Sequence, residues 1–276
     1  MKPSQKIAAA AATVALGGAA AWALRSWSRD KPGSEERERI GYPPLDTLKP
    51  VGEDVWVVDS GPISASGLSI PVRMTVMRLS DGALLLHSPS RMTDSLEAEL
   101  RRLGPVVHMV APTTAHWTFL PEWQEAFPDA KVWAVPGLRE RAQVQLSDLR
   151  IDHDLDERAP QAWAAEIEQG LVRGAGFEEA YFFHRPSGTL VLTDLIQNLE
   201  SHKLPPVTAA FAKLARATEG RTAAHVRAAT ALGGEEAKER IRYLVSLQPE
   251  KVIFAHGSWF ETDGAERLRQ AFRWAL

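Results

Sequence analysis

A change in the rhythm of short apolar runs constrains the fold of this 276-residue chain more than any other feature. The first runs are predicted to be strands of an antiparallel meander, with an Asp-Gly turn signal at 81–82, and they cover residues 55–59, 69–79 and 83–87. Beyond residue 93, apolar strands alternate with amphipathic helices, which favours parallel pairing. A second strand-rich set at 149–193 precedes further helices, one more strand and a closing helix. The pattern predicts two sheets packed face to face with helices outside.

The first 25 residues differ from the rest of the chain. Segment 7–24 is apolar and uncharged, with basic residues on both sides. As a helix it would extend about 27 Å, close to the roughly 30 Å core of a bilayer. We expect residues 1–25 to anchor the protein in a membrane. A cleaved export signal is the alternative, because the alanine runs also satisfy the small-x-small pattern of a signal-peptidase site.

The remaining sequence divides into a tether and one domain. Residues 26–47 are rich in charge and are predicted to be a solvated tether, and residues 48–276 are predicted to be the folded domain. We therefore expect one N-terminal segment to hold the protein at a membrane, or the protein to be exported if that segment is a cleaved signal. Basic residues flank the segment almost equally, which leaves its orientation open.

Composition excludes several classes of function. The net charge is −3 and no basic stripe with interleaved aromatic residues occurs, so nucleic acid is not an expected partner. The chain has no cysteine, which excludes disulfides, thiolate nucleophiles and cysteine-bound zinc. Neither a Gly-x-Ser-x-Gly elbow nor a glycine-rich nucleotide loop is present; the stretch GPISASG is interpreted as a turn between strands.

Four acid-base side chains lie just past the ends of predicted strands. They are His87, His116, Asp194 and His256. Strand C-termini are where α/β folds place polar groups in a shared crevice, so residues far apart in sequence can converge there. Three imidazoles and a carboxylate would suit a metal ion.

Five segments of the chain resemble the domain of unknown function 4336 family. They are VGEDVWVVDSGP, ALLLHSP, GPVVHMVAPTTAHWTFLPEWQEAFPDAKVWAVPGL, TLVLTDL and KVIFAHGSWFETDG. The likeness covers residues 48–276, and the family resembles a divergent branch of the metallo-β-lactamase superfamily. This resemblance implies an α/β fold, a four-layer αββα sandwich, with any active site along one edge between the sheets.

The superfamily's metal pattern is only partly present in this sequence. Where the resemblance implies a His-x-His-x-Asp-His cluster, the chain reads PTTAHW and retains only His116. Asp194 matches the expected bridging aspartate, and His256 matches the last histidine. The histidine expected near 176–178 is missing, and Glu178 or Glu179 is the candidate substitute. His87 lies where the first strand usually ends in an acidic residue.

This ligand inventory favours one metal ion over two. A dinuclear site needs about six or seven protein ligands, whereas three N/O ligands and an open position form the usual catalytic zinc site. His116, Asp194 and His256 are the expected ligands of one divalent ion, with zinc expected and iron or manganese as alternatives. His87 is expected to be an acid/base group or a fourth ligand.

Each of these side chains also has a structural interpretation. His256 could cap a turn, Asp194 could accept loop N–H groups, and His116 could pack on neighbouring aromatic rings. For His87 the structural interpretation is favoured. The histidines at 153, 202 and 225 lie among charged or helical residues and are assigned no role.

Two functions from different classes follow from the sequence. The first is a membrane-tethered, single-metal hydrolase of a small ester or lactone, with water activated by the ion as nucleophile. The second is a non-catalytic binding or scaffold module in which the metal site has eroded. No protein partner can be predicted from the sequence.

Overall fold

The computed structural model describes residues 33–65 and 67–276. The predicted membrane segment lies outside these residues. Among the helices that the model describes, none combines the length and apolarity needed to cross a bilayer.

The larger sheet has seven strands in chain order, β1 to β7. Their bounds are β1 Lys49–Gly52, β2 Val55–Ala65, β3 Leu68–Arg78, β4 Leu84–His87, β5 Val106–Ala111, β6 Lys131–Ala134 and β7 His153–Asp154. Strands β1 to β4 pair antiparallel, whereas β4 to β7 pair parallel. The predicted switch from a meander to strand-helix alternation is therefore confirmed.

The smaller sheet has four strands in the order β11-β10-β9-β8. Their bounds are β8 Ile167–Gly174, β9 Phe177–His184, β10 Thr189–Val191 and β11 Lys251–Ile253. Strands β8, β9 and β10 are antiparallel, and β11 joins β10 in parallel. The helices between β10 and β11 provide the crossover that a parallel pair requires.

Eight α-helices occur in the described part of the chain. They are α1 Ser34–Ile40, α2 Asp94–Leu103, α3 Leu120–Ala126, α4 Ala142–Gln145, α5 Pro206–Leu214, α6 Ala224–Leu232, α7 Gly234–Ser246 and α8 Gly264–Ala271. Helix α2 begins where the Thr93 hydroxyl accepts the Leu96 N–H, a regular N-cap. Helices α6 and α7 pack on β8, and α8 packs on β11.

Alternating side chains of the smaller sheet enter two different cores. Leu171, Phe182, Val191 and Ile253 belong to the cluster shared with the larger sheet. Their sequence neighbours Val172, Tyr181, Leu190 and Val252 belong to a second cluster with the helices. Because a strand points successive side chains to opposite faces, the smaller sheet is covered on both sides. The predicted arrangement of two facing sheets with helices is confirmed at this level.

Two details of the sequence interpretation are wrong. The stretch GPISASG was interpreted as a turn between strands, but its residues up to Ala65 belong to β2. The strand continues there with a register shift between Ser60 and Ile63. That irregularity accommodates Gly61 and Pro62 within a strand, so these residues do not end it. The strand predicted at 149–153 is reduced to the two residues of β7.

Candidate metal centre

Three of the four predicted site residues converge at the edge between the two sheets. His116 lies in the loop after β5, while Asp194 and His256 follow β10 and β11. One ligand atom from each lies within 4.8 Å of the others, and all three side chains are buried. The convergence follows from topology, because the carboxyl ends of the parallel pairs β4–β5 and β10–β11 meet at this edge.

The distances within this cluster match ligands around an ion better than direct hydrogen bonds. Asp194 Oδ2 lies 3.5 Å from His116 Nε2, and Asp194 Oδ1 lies 3.3 Å from His256 Nε2. A charge-assisted N–H···O bond is usually about 2.7–2.9 Å long. Two ligands that each lie about 2.05 Å from a tetrahedral zinc are separated by about 3.4 Å. The donor set and its spacing therefore fit a divalent ion.

The tautomer of neutral His256 is determined by its other nitrogen. His256 Nδ1 lies 2.8 Å from the carbonyl oxygen of Pro71, which can only accept, so Nδ1 carries the proton. In a neutral ring, Nε2 then presents a lone pair toward Asp194. A carbonyl that fixes the ring in this way is typical of the outer shell of metal-bound histidines.

The outer contact of His116 is a serine hydroxyl. Ser88 Oγ lies 2.7 Å from His116 Nδ1, and Nε2 is the atom that faces Asp194. Ser88 has a φ of 56°, a left-handed conformation that is uncommon for residues other than glycine. Its N–H donates to the carbonyl of Val110 at 3.0 Å, so β5 fixes this strained residue beside His116.

Asp194 is positioned through its backbone by a second buried carboxylate. Glu179, on β9, accepts the N–H groups of Thr193, Asp194 and Leu195 at 2.7, 2.7 and 2.9 Å. From the sequence, Glu179 was only a candidate substitute for a missing histidine ligand. Instead its two oxygens fix the turn after β10, and Glu178 is engaged by Arg173 at 2.8 Å.

The loop that carries His256 is fixed by Arg73, a fully buried arginine of β3. Its Nη1 donates to the carbonyls of Phe254 and Gly257 at 2.8 and 2.7 Å, one on each side of His256 in sequence. Its Nη2 pairs with Asp59 at 2.6 Å, and Asp59 also pairs with Lys49. A buried charge with this many partners is unusual in an apolar strand, and the arginine in SIPVRMTVM is the signal that could have identified it.

Gly257 is required directly after His256. Its φ is 93°, and an added Cβ would lie 2.1 Å from the carbonyl oxygen of Asn198. This clash involves backbone, which cannot move aside as a side chain can. The loop therefore reaches its place against Asn198 only with glycine at this position.

Electrostatics leave Asp194 and His116 in the protonation states that a metal needs. Burial alone would raise the pKa of Asp194, but the imidazoles of His116 and His256 outweigh it and hold that pKa well below its usual range. Burial lowers the pKa of His116, with Asp194 opposing. Asp194 is therefore ionised and His116 neutral near pH 7, as metal ligands must be.

Burial also shifts the pKa of Glu179. Its burial, and then the Asp194 carboxylate, raise the pKa to about 8, against the three backbone N–H groups that favour the charged form. The same N–H groups fix Glu179 against the turn after β10.

His87 is close to the centre but outside the three-residue cluster. It ends β4, is 1% exposed, and its ring contacts Phe182 edge-on with 5.1 Å between centroids. Burial, and then His116, lower its pKa to about 3. Its Nε2 has no hydrogen-bond partner in the described part of the chain. The acid/base role expected for His87 stays a prediction.

His225 lies beside the centre, although no role was assigned to it from the sequence. This half-buried residue of α6 lines a cavity of about 30 Å³ together with Asp194, Thr113 and the segment 176–178. Burial lowers the pKa of His225, and Asp194 opposes this shift. No local pattern in HVRAAT indicates this position, because it depends on how α6 packs against the β8–β9 hairpin.

The two-sheet fold, with the His-Asp-His cluster at its edge, is the fold of metallo-β-lactamases. Solved metallo-β-lactamases share the fold at low identity. FIM-1 from Pseudomonas aeruginosa in its mono-zinc form is 12% identical, with 83% of this chain and 94% of that chain covered and a TM-score of 0.58. The enzyme from Pontibacter korlensis is 12% identical, with 82% and 98% covered and a TM-score of 0.54. That from Hirschia baltica is 10% identical, with 83% and 96% covered and a TM-score of 0.54.

The chain belongs to the domain of unknown function family DUF4336, whose model matches residues 53–241. The resemblance seen in the sequence is thus confirmed, and the structural neighbours agree with a divergent branch of the metallo-β-lactamase fold. No curated protein shows significant similarity to the chain.

Proposed function

We propose that this protein is a single-metal hydrolase of a small ester or lactone, with His116, Asp194 and His256 as the metal ligands. The observation that carries the proposal is the placement of both Asp194 oxygens, 3.5 and 3.3 Å from the two imidazole nitrogens. These separations suit atoms that share an ion, and each ligand has its own fixing contact in Ser88, Glu179 or the Pro71 carbonyl. One zinc is the expected ion, with iron or manganese as alternatives.

The chemistry follows from the ion and from what surrounds it. A divalent ion bound here would polarise a carbonyl oxygen and bring the pKa of water to about 7. His116, Asp194 and His256 would hold the ion in a buried position where one carboxylate offsets part of its charge, and the cavity beside Asp194 has room for about two water-sized groups. Such a cavity admits only the reacting end of a substrate, which favours a small ester or lactone.

Proton transfer is assigned to a histidine beside the cluster. His87 was expected in this role from the sequence, and its Nε2 lies buried at the end of β4. His225 is the second candidate, because it lines the cavity that Asp194 also lines. A group that transfers a proton must reach the reacting atoms, directly or through one water.

The fold is compatible with one ion. FIM-1, which shares this fold, exists in a mono-zinc form. A three-ligand cluster with an open position is the usual arrangement of catalytic zinc. The count of three ligands supports the single-metal proposal over a dinuclear one.

Metal analysis tests the ligand assignment. Protein purified without an affinity tag is expected to contain about one equivalent of zinc, iron or manganese, as a single three-ligand site requires. His116→Ala and His256→Ala should lose it, whereas the matched control His202→Ala, an exposed histidine before α5, should keep it. A folded, metal-free wild type that takes up no added ion would contradict the hydrolase and leave the non-catalytic module.

Activity is tested separately from metal content. The reconstituted protein should hydrolyse p-nitrophenyl acetate or a γ-lactone, and Asp194→Asn should lose both the ion and the activity. Full metal occupancy without turnover on a panel of esters and lactones would contradict the substrate class while leaving the metal site intact.

We also propose that residues 1–25 tether the domain to a membrane. This proposal is supported by the uncharged apolar segment 7–24, whose length as a helix would be close to the thickness of a bilayer core. The full chain should stay in the membrane fraction after carbonate extraction, and deletion of residues 1–25 should release it. Recovery of a shortened protein in the exported fraction would favour the cleaved signal instead.

A further inference from the structure

A second concavity, distinct from the metal centre, is lined by four arginines. It has a volume of about 370 Å³ and lies between the turn after α5, helix α6 and the C-terminal end of α8. Its arginines are Arg216, Arg221, Arg227 and Arg273, and Trp274 forms part of the same wall. This volume falls within the usual range for small-molecule sites, roughly 300–1,000 Å³.

The positive charge of this concavity is largely uncompensated. No aspartate or glutamate lines it. Arg221 pairs with Glu219 at 2.6 Å, but within residues 33–65 and 67–276 no carboxylate lies within 4 Å of the other three guanidinium groups. Four like charges around one recess repel each other and attract an anion, because a recess concentrates their field. The chain as a whole is slightly acidic, so this is a local departure from its average charge.

The frame of the concavity is fixed by backbone and aromatic contacts. Arg221 exchanges two backbone hydrogen bonds with Gln197, at 2.9 and 3.0 Å. Trp274 donates its indole N–H to Thr222 at 3.2 Å, and the Arg227 guanidinium lies 5.5 Å from the Trp274 ring centroid. The four arginines are exposed, but the elements that carry them are held in place.

We propose that this arginine concavity binds a phosphate group, carried by a small soluble ester or by a phospholipid headgroup. Guanidinium groups present paired N–H donors that match phosphate oxygens, which makes arginine the preferred residue for phosphate recognition. Trp274 and the small residues Ala228 and Ala231 provide an apolar wall for the uncharged part of the ligand.

Helix α6 separates the arginine concavity from the metal centre. Arg227, Ala228 and Ala231 face the concavity, whereas His225, Val226 and Ala229 line the cavity beside Asp194. The proposed phosphate site is therefore separate from the metal ligands, and it does not depend on the hydrolase proposal.

Calorimetric titration of the full chain with inorganic pyrophosphate tests the site. EDTA is present throughout, so that an anion on a bound metal cannot contribute. Arg227→Gln/Arg273→Gln should bind about tenfold more weakly or worse, because each variant removes charge-assisted hydrogen bonds. The control Arg102→Gln/Arg158→Gln removes the same charge from exposed arginines elsewhere and should bind as wild type does. Equal loss in both pairs, or no binding by wild type, would overturn the proposal.

Vesicle binding distinguishes the two sources of phosphate. With the full chain, a phospholipid ligand predicts tighter binding to phosphatidylcholine vesicles that contain phosphatidic acid than to pure phosphatidylcholine. Arg227→Gln/Arg273→Gln should lose that difference and the control pair should keep it. A soluble ligand predicts pyrophosphate binding with the same vesicle binding in wild type and both variant pairs. His256→Ala should leave every one of these results unchanged, since it affects only the metal centre.

Discussion

Glu179 supports the candidate centre by accepting hydrogen bonds from the backbone around Asp194, and it is not one of the expected ligands of the ion. A glutamine there keeps the size of the side chain but has one acceptor oxygen in place of two, and its NH₂ would face a backbone N–H. Glu179→Gln should therefore weaken metal binding by about 10- to 100-fold, as loss of an outer-shell contact usually does. Chelator competition measures this, and Glu178→Gln is the matched control on the same strand. Unchanged affinity in Glu179→Gln would show that the turn holds Asp194 without it.

Two histidines compete for the role in proton transfer. His225 lines the cavity beside Asp194, whereas His87 is sealed against Phe182. His225→Gln should lower turnover by about 100-fold or more while leaving the bound metal unchanged, because loss of a general acid or base costs about 10²–10⁴. His87→Gln, measured in the same assay, tests the assignment made from the sequence. A large effect in His87→Gln alone would give the role in proton transfer to His87, as expected from the sequence, and metal loss in either variant would indicate a ligand.

At the scale of elements, strand β3 fixes the loop after β11 from two positions. The Pro71 carbonyl accepts from His256, and Arg73 donates to the carbonyls of Phe254 and Gly257. Arg73→Met would remove the clamp and leave Asp59 buried with Lys49 alone. We expect a loss of about 3 kcal/mol in the free energy of unfolding, typical of breaking a buried ion pair. Urea unfolding of chelated protein measures it.

A double variant separates the ion pair from the clamp. Asp59→Asn added to Arg73→Met removes the buried carboxylate that has lost its arginine partner, and it should recover part of the lost stability. It should not recover metal affinity, because the carbonyls beside His256 remain without their donor. Recovery of both would mean that Arg73 acts on the centre only through global stability.

The sequence predicted the elements better than it predicted their contacts. Asp194 and His256 were visible as site residues because apolar runs stop just before them, and His116 because it follows an apolar strand by a short loop. Parallel pairing then brings the carboxyl ends of these strands to one edge. Arg73, Glu179 and His225 were not assigned their roles, since each acts through a partner more than 10 residues away that only the packed structure brings close. The register shift in β2 was also missed, because Gly and Pro are signals of turns as well as of irregular strands.

At the scale of the whole molecule, the candidate centre joins the two sheets. His116 comes from a loop of the larger sheet, while Asp194 and His256 follow strands of the smaller one. An ion shared by these ligands would link both halves of the sandwich in the native state alone. Binding of this kind stabilises by mass action, about 2.7 kcal/mol when the free ion is at 100 times its Kd. For a domain of this size, each kcal/mol corresponds to roughly 2–4 °C in melting temperature.

Chelation should therefore lower the melting temperature of the metal-loaded protein by about 5–10 °C. Calorimetry with and without EDTA measures the shift, and metal analysis of the same samples confirms removal. His256→Ala is the informative control, because a variant that binds no ion should melt at the same temperature with and without chelator. An unchanged melt after confirmed removal of the ion would show that the sheets hold together without it. The metal would then have a role in chemistry or binding but none in joining the two halves of the fold.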